Sequence, residues 1–103
     1  MTDVSMTEPL PSYLSLTSEG VTVTLGHKVN FGGVLLDRLT MRAPSVKDVL
    51  AAKAASAGDY EKMEMHMFCS LLEATEQEIL SLKYKDYKRL SAGYFRLVEE
   101  DDV

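Results

Sequence analysis

"LTMRAPSVKDVL" (residues 39–50) passes from the pattern of a strand to that of a helix within one short stretch. Leu39 and Met41 alternate with Thr40 and Arg42, the two-residue period of a half-buried strand. Pro44 then keeps Ala43 extended and brings no N–H to a ladder, so strand pairing must end there. Ser45 precedes a helical phrase, with Asp48 three residues on. The serine hydroxyl can accept from the Asp48 amide while the Asp48 carboxylate answers at the Ser45 amide, a capping box with Asp in place of Glu. The carboxylate also suits the positive end of the helix dipole. Arg42, at the corner, is expected to pair with a carboxylate or with helix-end carbonyls. Arg42, Pro44, Ser45 and Asp48 therefore read as structural residues of a strand-to-helix junction.

Upstream of the junction, "VTVTL" (21–25) alternates strictly, with Val21, Val23 and Leu25 on one face. "NFGG" (30–33) supplies a turn through Gly32 and Gly33, and a second strand over about 34–42 is expected to return antiparallel to the first. Asp37 falls in phase with Leu35, Leu39 and Met41, which points to a bulge or bend at that position. Residues 1–19 carry two prolines, many hydroxyls and little periodicity. They read as a flexible N-terminal arm that Leu10, Tyr13, Leu14 and Leu16 could pin to the core.

Downstream, a short alanine-rich helix runs to Gly58. Asp59 caps a second helix in which Tyr60, Met63, Met67, Phe68, Leu71 and Leu72 recur at steps of three and four, one broad apolar face. "TEQE" (75–78) is another capping box opening a short helix, and a last helix over about 84–98 holds Tyr87, Leu90, Ala92, Tyr94, Phe95 and Val98. The expected fold class is α+β: a short N-terminal antiparallel β-hairpin (20–42) followed by a small bundle of three to four α-helices (45–98). Residues 20–98 make a single domain, and 99–103 an acidic tail.

Composition narrows the function. Hydrophobic residues make up 46% of the 103, enough for a core, and the net charge is -5. An acidic chain is a poor ligand for phosphate backbones, whose affinity comes from clustered Lys and Arg. A single cysteine, Cys69, cannot staple the fold and suits a reducing cytoplasm. No apolar run approaches the ~20 residues that a bilayer demands, and the start has no signal-peptide pattern.

Catalysis finds little support. His27 and His66 are the only histidines, and neither sits in a nucleophile or metal motif. Cys69 lies one helical turn from His66, but a Cys–His nucleophile needs an orienting third group and an oxyanion site that no motif supplies. Met65, His66 and Cys69 are soft ligands at helical spacing, yet Met63 and Met67 are explained by packing, so neither metal nor cofactor is expected. "KYKDYKR" (83–89) mixes lysines with Tyr84 and Tyr87 but is broken by Asp86, and reads as a solvated helix face with two core-anchoring tyrosines. A flexible methionine-rich surface for a partner remains, since thioethers adapt to varied apolar shapes.

The order of these phrases resembles the tail assembly chaperones of Mu- and P2-like contractile-tailed bacteriophages. The pattern is a strand like "VTVTL", a glycine-containing turn, a strand ending Leu39-Thr40-Met41-Arg42-Ala43-Pro44 where the family has Leu-x-Leu-Arg-x-Pro, and a helix with an early acid, here Asp48. An Asp-Tyr helix like "LKYKDYKRL" with an aromatic pair like Tyr94-Phe95 closes it. The resemblance spans about 20–97. It departs at "GHK" (26–28), where a proline is common, at Met41, where leucine is usual, and in the methionine-rich helix, for which the pattern has no counterpart.

Such a resemblance implies a non-catalytic protein of the bacterial host cytoplasm that holds the tape-measure protein, a long helical and partly apolar chain, and other tail proteins, until tube subunits polymerise around it. A programmed frameshift giving a longer product is common in the family. The partner-binding face is expected among Met63, Met65, Met67, Phe68 and Leu71 of one helix and Tyr84, Tyr87 and Phe95 of the other. Part of that set is expected to be exposed in the monomer or covered in a homo-oligomer, with Met65 foremost because it falls off the main core stripe. The alternatives are a small structural tail or baseplate protein and a nucleic-acid-binding regulator built on residues 83–89.

Overall fold

The strand carrying Leu39 and Met41 stops at Arg42 and a helix starts at Val46, in a computed structural model that describes residues 10–99. Three strands come first: β1 (Leu14–Leu16), β2 (Gly20–Phe31) and β3 (Val34–Arg42). Four helices follow: α1 (Val46–Ser56), α2 (Tyr60–Leu72), α3 (Glu76–Leu80) and α4 (Tyr84–Val98). The class is α+β, as the alternation and helical periods predict. Residues 1–9 of the expected arm and 100–103 of the acidic tail lie outside the described residues.

The sheet has one strand more than the expected hairpin. β1 joins the free edge of β2, pairing Leu14 with Val23 and Leu16 with Val21, in a sheet ordered β1-β2-β3. Its side chains alternate over only Leu14-Ser15-Leu16, too short a run beside two prolines to register as a period. Leu14 is buried, Leu10 and Tyr13 pack against the core, and Leu16, on the same face at the strand's end, stays 48% exposed. β2 and β3 meet in a two-residue turn at Gly32 and Gly33, whose φ angles of 61° and 84° are the pair a type I′ hairpin requires.

The irregularity expected at Asp37 is present, with a consequence for phase. Thr24 pairs with Arg38 and Val29 with Leu36, so four residues of β2 oppose the single Asp37. Beyond it the faces exchange. Leu36 turns in, and Leu35, expected on the core side with Leu39 and Met41, is 63% exposed.

At the junction the capping box is complete. Ser45 Oγ accepts from the Asp48 amide at 3.2 Å and Asp48 accepts from the Ser45 amide at 2.8 Å. Arg42 lays both terminal nitrogens on the Asp48 carboxylate at 2.8 and 3.0 Å, tying the strand end to the helix start. That pair, reinforced by the Ser45 amide, holds the Asp48 carboxyl well below the usual range. Ser45→Ala is expected to cost about 1 kcal/mol through loss of the cap. Thermal unfolding of this variant checks it, and an unchanged transition would remove the cap from the account.

The core is built from Val21, Val23, Leu25 and Val29 of β2, Leu39 and Met41 of β3, Ala52, Met67, Phe68, Leu71, Ile79 and Leu90. Each buried Val, Leu or Phe contributes roughly 1.5–3 kcal/mol by leaving water. α4 lies on β2, and Gly93 allows the close approach, since a Cβ there would sit 3.2 Å from Val23 Cγ2 and 3.3 Å from Val21 Cγ1. Its polar anchors fall at the bulge. Asp86, 1% exposed, accepts from the Gly26 and His27 amides at 2.8 and 3.1 Å. Arg89 donates to the Thr24 carbonyl at 2.8 Å and stacks on Tyr13. The unpaired β2 backbone thus finds its partners on the helix.

Candidate functional site

α2 presents three environments, because residues 100° apart along a helix cannot share a face. Met67, Phe68 and Leu71, which the sequence placed in the partner-binding set, are 2%, 0% and 2% exposed and belong to the core. They were expected on one face with Met63, and they are; α1, α3 and β3 pack against α2, and the rings of Tyr87 and Tyr94 meet Phe68. Met63 sits at the edge of that face, half-buried. Met65, two residues on and some 200° around, opens on the other side of α2. It lines a groove of about 320 Å³ with Ala55, Lys62, His66, Cys69 and Glu76. The methionines therefore do not form one surface.

Met63 stands where α1, α2 and α4 converge. A groove of about 310 Å³ runs from Lys53 and Ser56 of α1, past Gly58 and Asp59, to Tyr60 and Met63. The same Tyr60 and Met63 wall a small recess with Glu64, Met67, Phe68 and Tyr94. From there the aromatics continue in both directions. Phe68 meets Tyr87 edge-on at 5.4 Å and Tyr94 at 6.1 Å; Tyr84 stacks on Tyr87 at 6.4 Å; and Tyr94 adjoins Phe95 at 6.4 Å. This band passes from solvent through the core to solvent again, since Tyr60, Tyr84 and Phe95 are 64%, 74% and 58% exposed. Tyr84 is accordingly not a core anchor, whereas Tyr87 is.

Long side chains bridge α2 and α4 along this seam. Tyr87 donates its hydroxyl to Glu64 at 2.7 Å, and Ser91 donates to the same carboxylate at 3.3 Å. Burial, then the hydrogen bond to Glu64, pushes the Tyr87 phenol well above its ordinary value, so it stays a donor at any physiological pH. Tyr94 is raised chiefly by burial. On the far side of α2, burial followed by the Glu76 and Glu78 carboxylates raises the Cys69 thiol, the reverse of what a nucleophile needs. Among the described residues, no three His, Cys, Asp or Glu side chains gather as a metal site.

The basic stretch 83–89 is divided by its own helix. Asp86 turns into the core, Arg89 is spent on the Thr24 carbonyl and the Tyr13 ring, and Lys88 lies over Tyr84. Asp86 interrupts the basic run in sequence, and its phase with Leu90 and Gly93 places it on the buried face of α4. Tyr60, Glu64 and Tyr94 were not read as surface residues. Tyr60 shares the period of the core stripe, but it is the first residue of α2, where no neighbouring element covers it.

A family model described as "Phage tail assembly chaperone proteins, E, or 41 or 14" matches residues 22–99, from β2 to the end of α4. The chain belongs to the phage tail assembly chaperone family. No curated protein and no solved structure matches it. For a chaperone of phage tail assembly, the site to seek is a surface for another tail protein, and the exposed aromatic band with its groove is an apolar feature that bridges α1, α2 and α4. Among the described residues, no helix is long and apolar enough to cross a membrane.

Proposed function

We propose that this chaperone holds the tape-measure protein of a Mu- or P2-like contractile-tailed phage in the host cytoplasm, without catalysis, until tail-tube subunits enclose it. The observation that carries the reading is the groove around Met63 with the flanking band of Tyr60, Tyr84, Tyr94 and Phe95: apolar, partly open, and built on three helices of a packed scaffold. A helix laid along it would place residues at i, i+3, i+4 and i+7 against those rings, as helix-in-groove recognition requires. Tyrosines suit reversible binding, because they offer large apolar area at low entropic cost and keep a polar edge in water. The net charge of -5 keeps copies apart while the apolar surface is open. A tape-measure chain repeats its apolar stripe, so several copies bound along it gain from multivalency.

The competing role, a structural tail or baseplate protein, makes the opposite demand on timing. Fractionation of infected or induced cells is expected to place the protein with tail intermediates and the tape-measure chain, and to leave it out of purified virions. Stoichiometric presence in finished tails would show a structural component instead.

A further inference from the structure

Glu64 is half-buried in the seam between α2 and α4, and among the described residues its hydrogen-bond donors are the uncharged hydroxyls of Tyr87 and Ser91. Among the described residues no lysine, arginine or histidine pairs with it. A partly desolvated carboxylate without a counter-charge is unusual, since opposite charge is the common compensation for burial. Glu64 shares its recess with the rings of Tyr60, Phe68 and Tyr94, and the recess measures about 30 Å³, roughly the space of one water molecule or one ammonium group. Glu61, exposed and one turn before Glu64, adds negative charge near Tyr87, and among the described residues no salt bridge neutralises it. Aromatic faces around a carboxylate are the chemistry that receives a cation.

From this charge complementarity we infer that the groove selects a basic amphipathic helix, seating one of its lysine ammonium groups on Glu64 between the rings of Tyr60 and Tyr94. The inference rests on the groove being the partner face and adds which helix that face prefers. An apolar stripe alone would dock without regard to its flanks. A stripe flanked by lysine would gain an ion pair and a cation–π contact at a point already lacking a counter-ion, whereas a stripe flanked by glutamate would meet Glu61 and Glu64 with like charge.

The test uses the full chain and three amphipathic helical peptides that share one apolar stripe and differ only in flanking residues: lysine, glutamine or glutamate. The chain has no tryptophan, so a single tryptophan in each peptide reports binding by its fluorescence. The lysine peptide is expected to bind about tenfold more tightly than the glutamine peptide, with the glutamate peptide weakest, a difference typical of a partly desolvated cation contact. Glu64→Gln keeps an acceptor for Tyr87 and should abolish that preference while leaving the glutamine peptide's affinity unchanged. Tyr60→Ala, at an exposed ring, should reduce it. Equal binding of the lysine and glutamate peptides, or an undiminished lysine preference in Glu64→Gln, would overturn the inference. So would tape-measure capture with no binding of any of the three peptides. Failure to capture the tape-measure protein beside an intact lysine preference would sink the functional reading alone.

Discussion

Phe68→Ala is expected to lower the stability of the domain by about 4 kcal/mol, the usual cost of emptying a fully enclosed aromatic site. Phe68 is 0% exposed and is the ring on which both Tyr87 and Tyr94 rest edge-on. Its loss removes roughly the transfer free energy of a whole ring, leaves a cavity that α2 and α4 can only partly close, and deletes two aromatic contacts of about 0.5–1.5 kcal/mol each. In a domain of this size the transition should fall by roughly 20 °C. Phe95→Ala is the control. Its ring is 58% exposed, and a surface substitution there should stay within about 0.5 kcal/mol. Thermal unfolding followed by circular dichroism measures both, and similar losses in the two variants would contradict the placement of the rings.

Asp86→Ala should cost about 3 kcal/mol. The carboxylate satisfies two consecutive backbone amides, Gly26 and His27, where β2 leaves its ladder with β3. Alanine would remove the shared acceptor of both amides at a part-buried site, and each such loss is worth about 1–3 kcal/mol. Asp86→Asn keeps one carbonyl oxygen and should cost clearly less. The damage should be local before it is global. Hydrogen exchange is expected to rise first in α4 and at Gly26–His27 while α1 and the junction at Ser45 remain protected. Uniform loss of protection would mean that Asp86 does not act as the latch of α4 on the sheet.

How much of this was legible in the sequence depends on whether the cause was local. The junction at Arg42, Pro44, Ser45 and Asp48 was readable because its determinants lie within seven residues: a ring that cannot donate, a hydroxyl at the cap and an acid in the first turn. The Gly32–Gly33 turn was readable for the same reason. The helices fell close to their periodic stretches because their caps, Ser45, Asp59 and Thr75, are unambiguous. What escaped depends on contacts between distant segments. β1 is stabilised by pairing with β2 rather than by its own three residues. The exchange of Leu35 for Leu36 on the inner face follows from the length of the bulge, which no local pattern records.

The candidate site shows the same division. Periodicity grouped Met63 with Met67, Phe68 and Leu71 and set Met65 apart, and the structure keeps both statements. It could not say which of those residues a neighbour would cover, so three of the expected contact residues are core and Met65 faces a second groove. The aromatic residues of α4 fared similarly. Tyr87 is held by Glu64, a residue 23 positions earlier that no local motif joins to it, while Tyr84, one turn away, is left in water. An apolar residue at the first turn of a helix, such as Tyr60, is the kind of position where periodicity overstates burial.

The central claim is that the chaperone grips its partner across the groove and aromatic band of α1, α2 and α4. The direct measurement is co-purification of the tape-measure protein with the full chain when the two are co-expressed, comparing wild type with the double variant Tyr60→Glu and Phe95→Glu. Both positions are exposed, 64% and 58%, so the variant should fold and melt like wild type. The account predicts that wild type retains the tape-measure protein and that the double variant, equally folded, loses it. A folded double variant that still brings down the tape-measure protein in full amount would contradict the account.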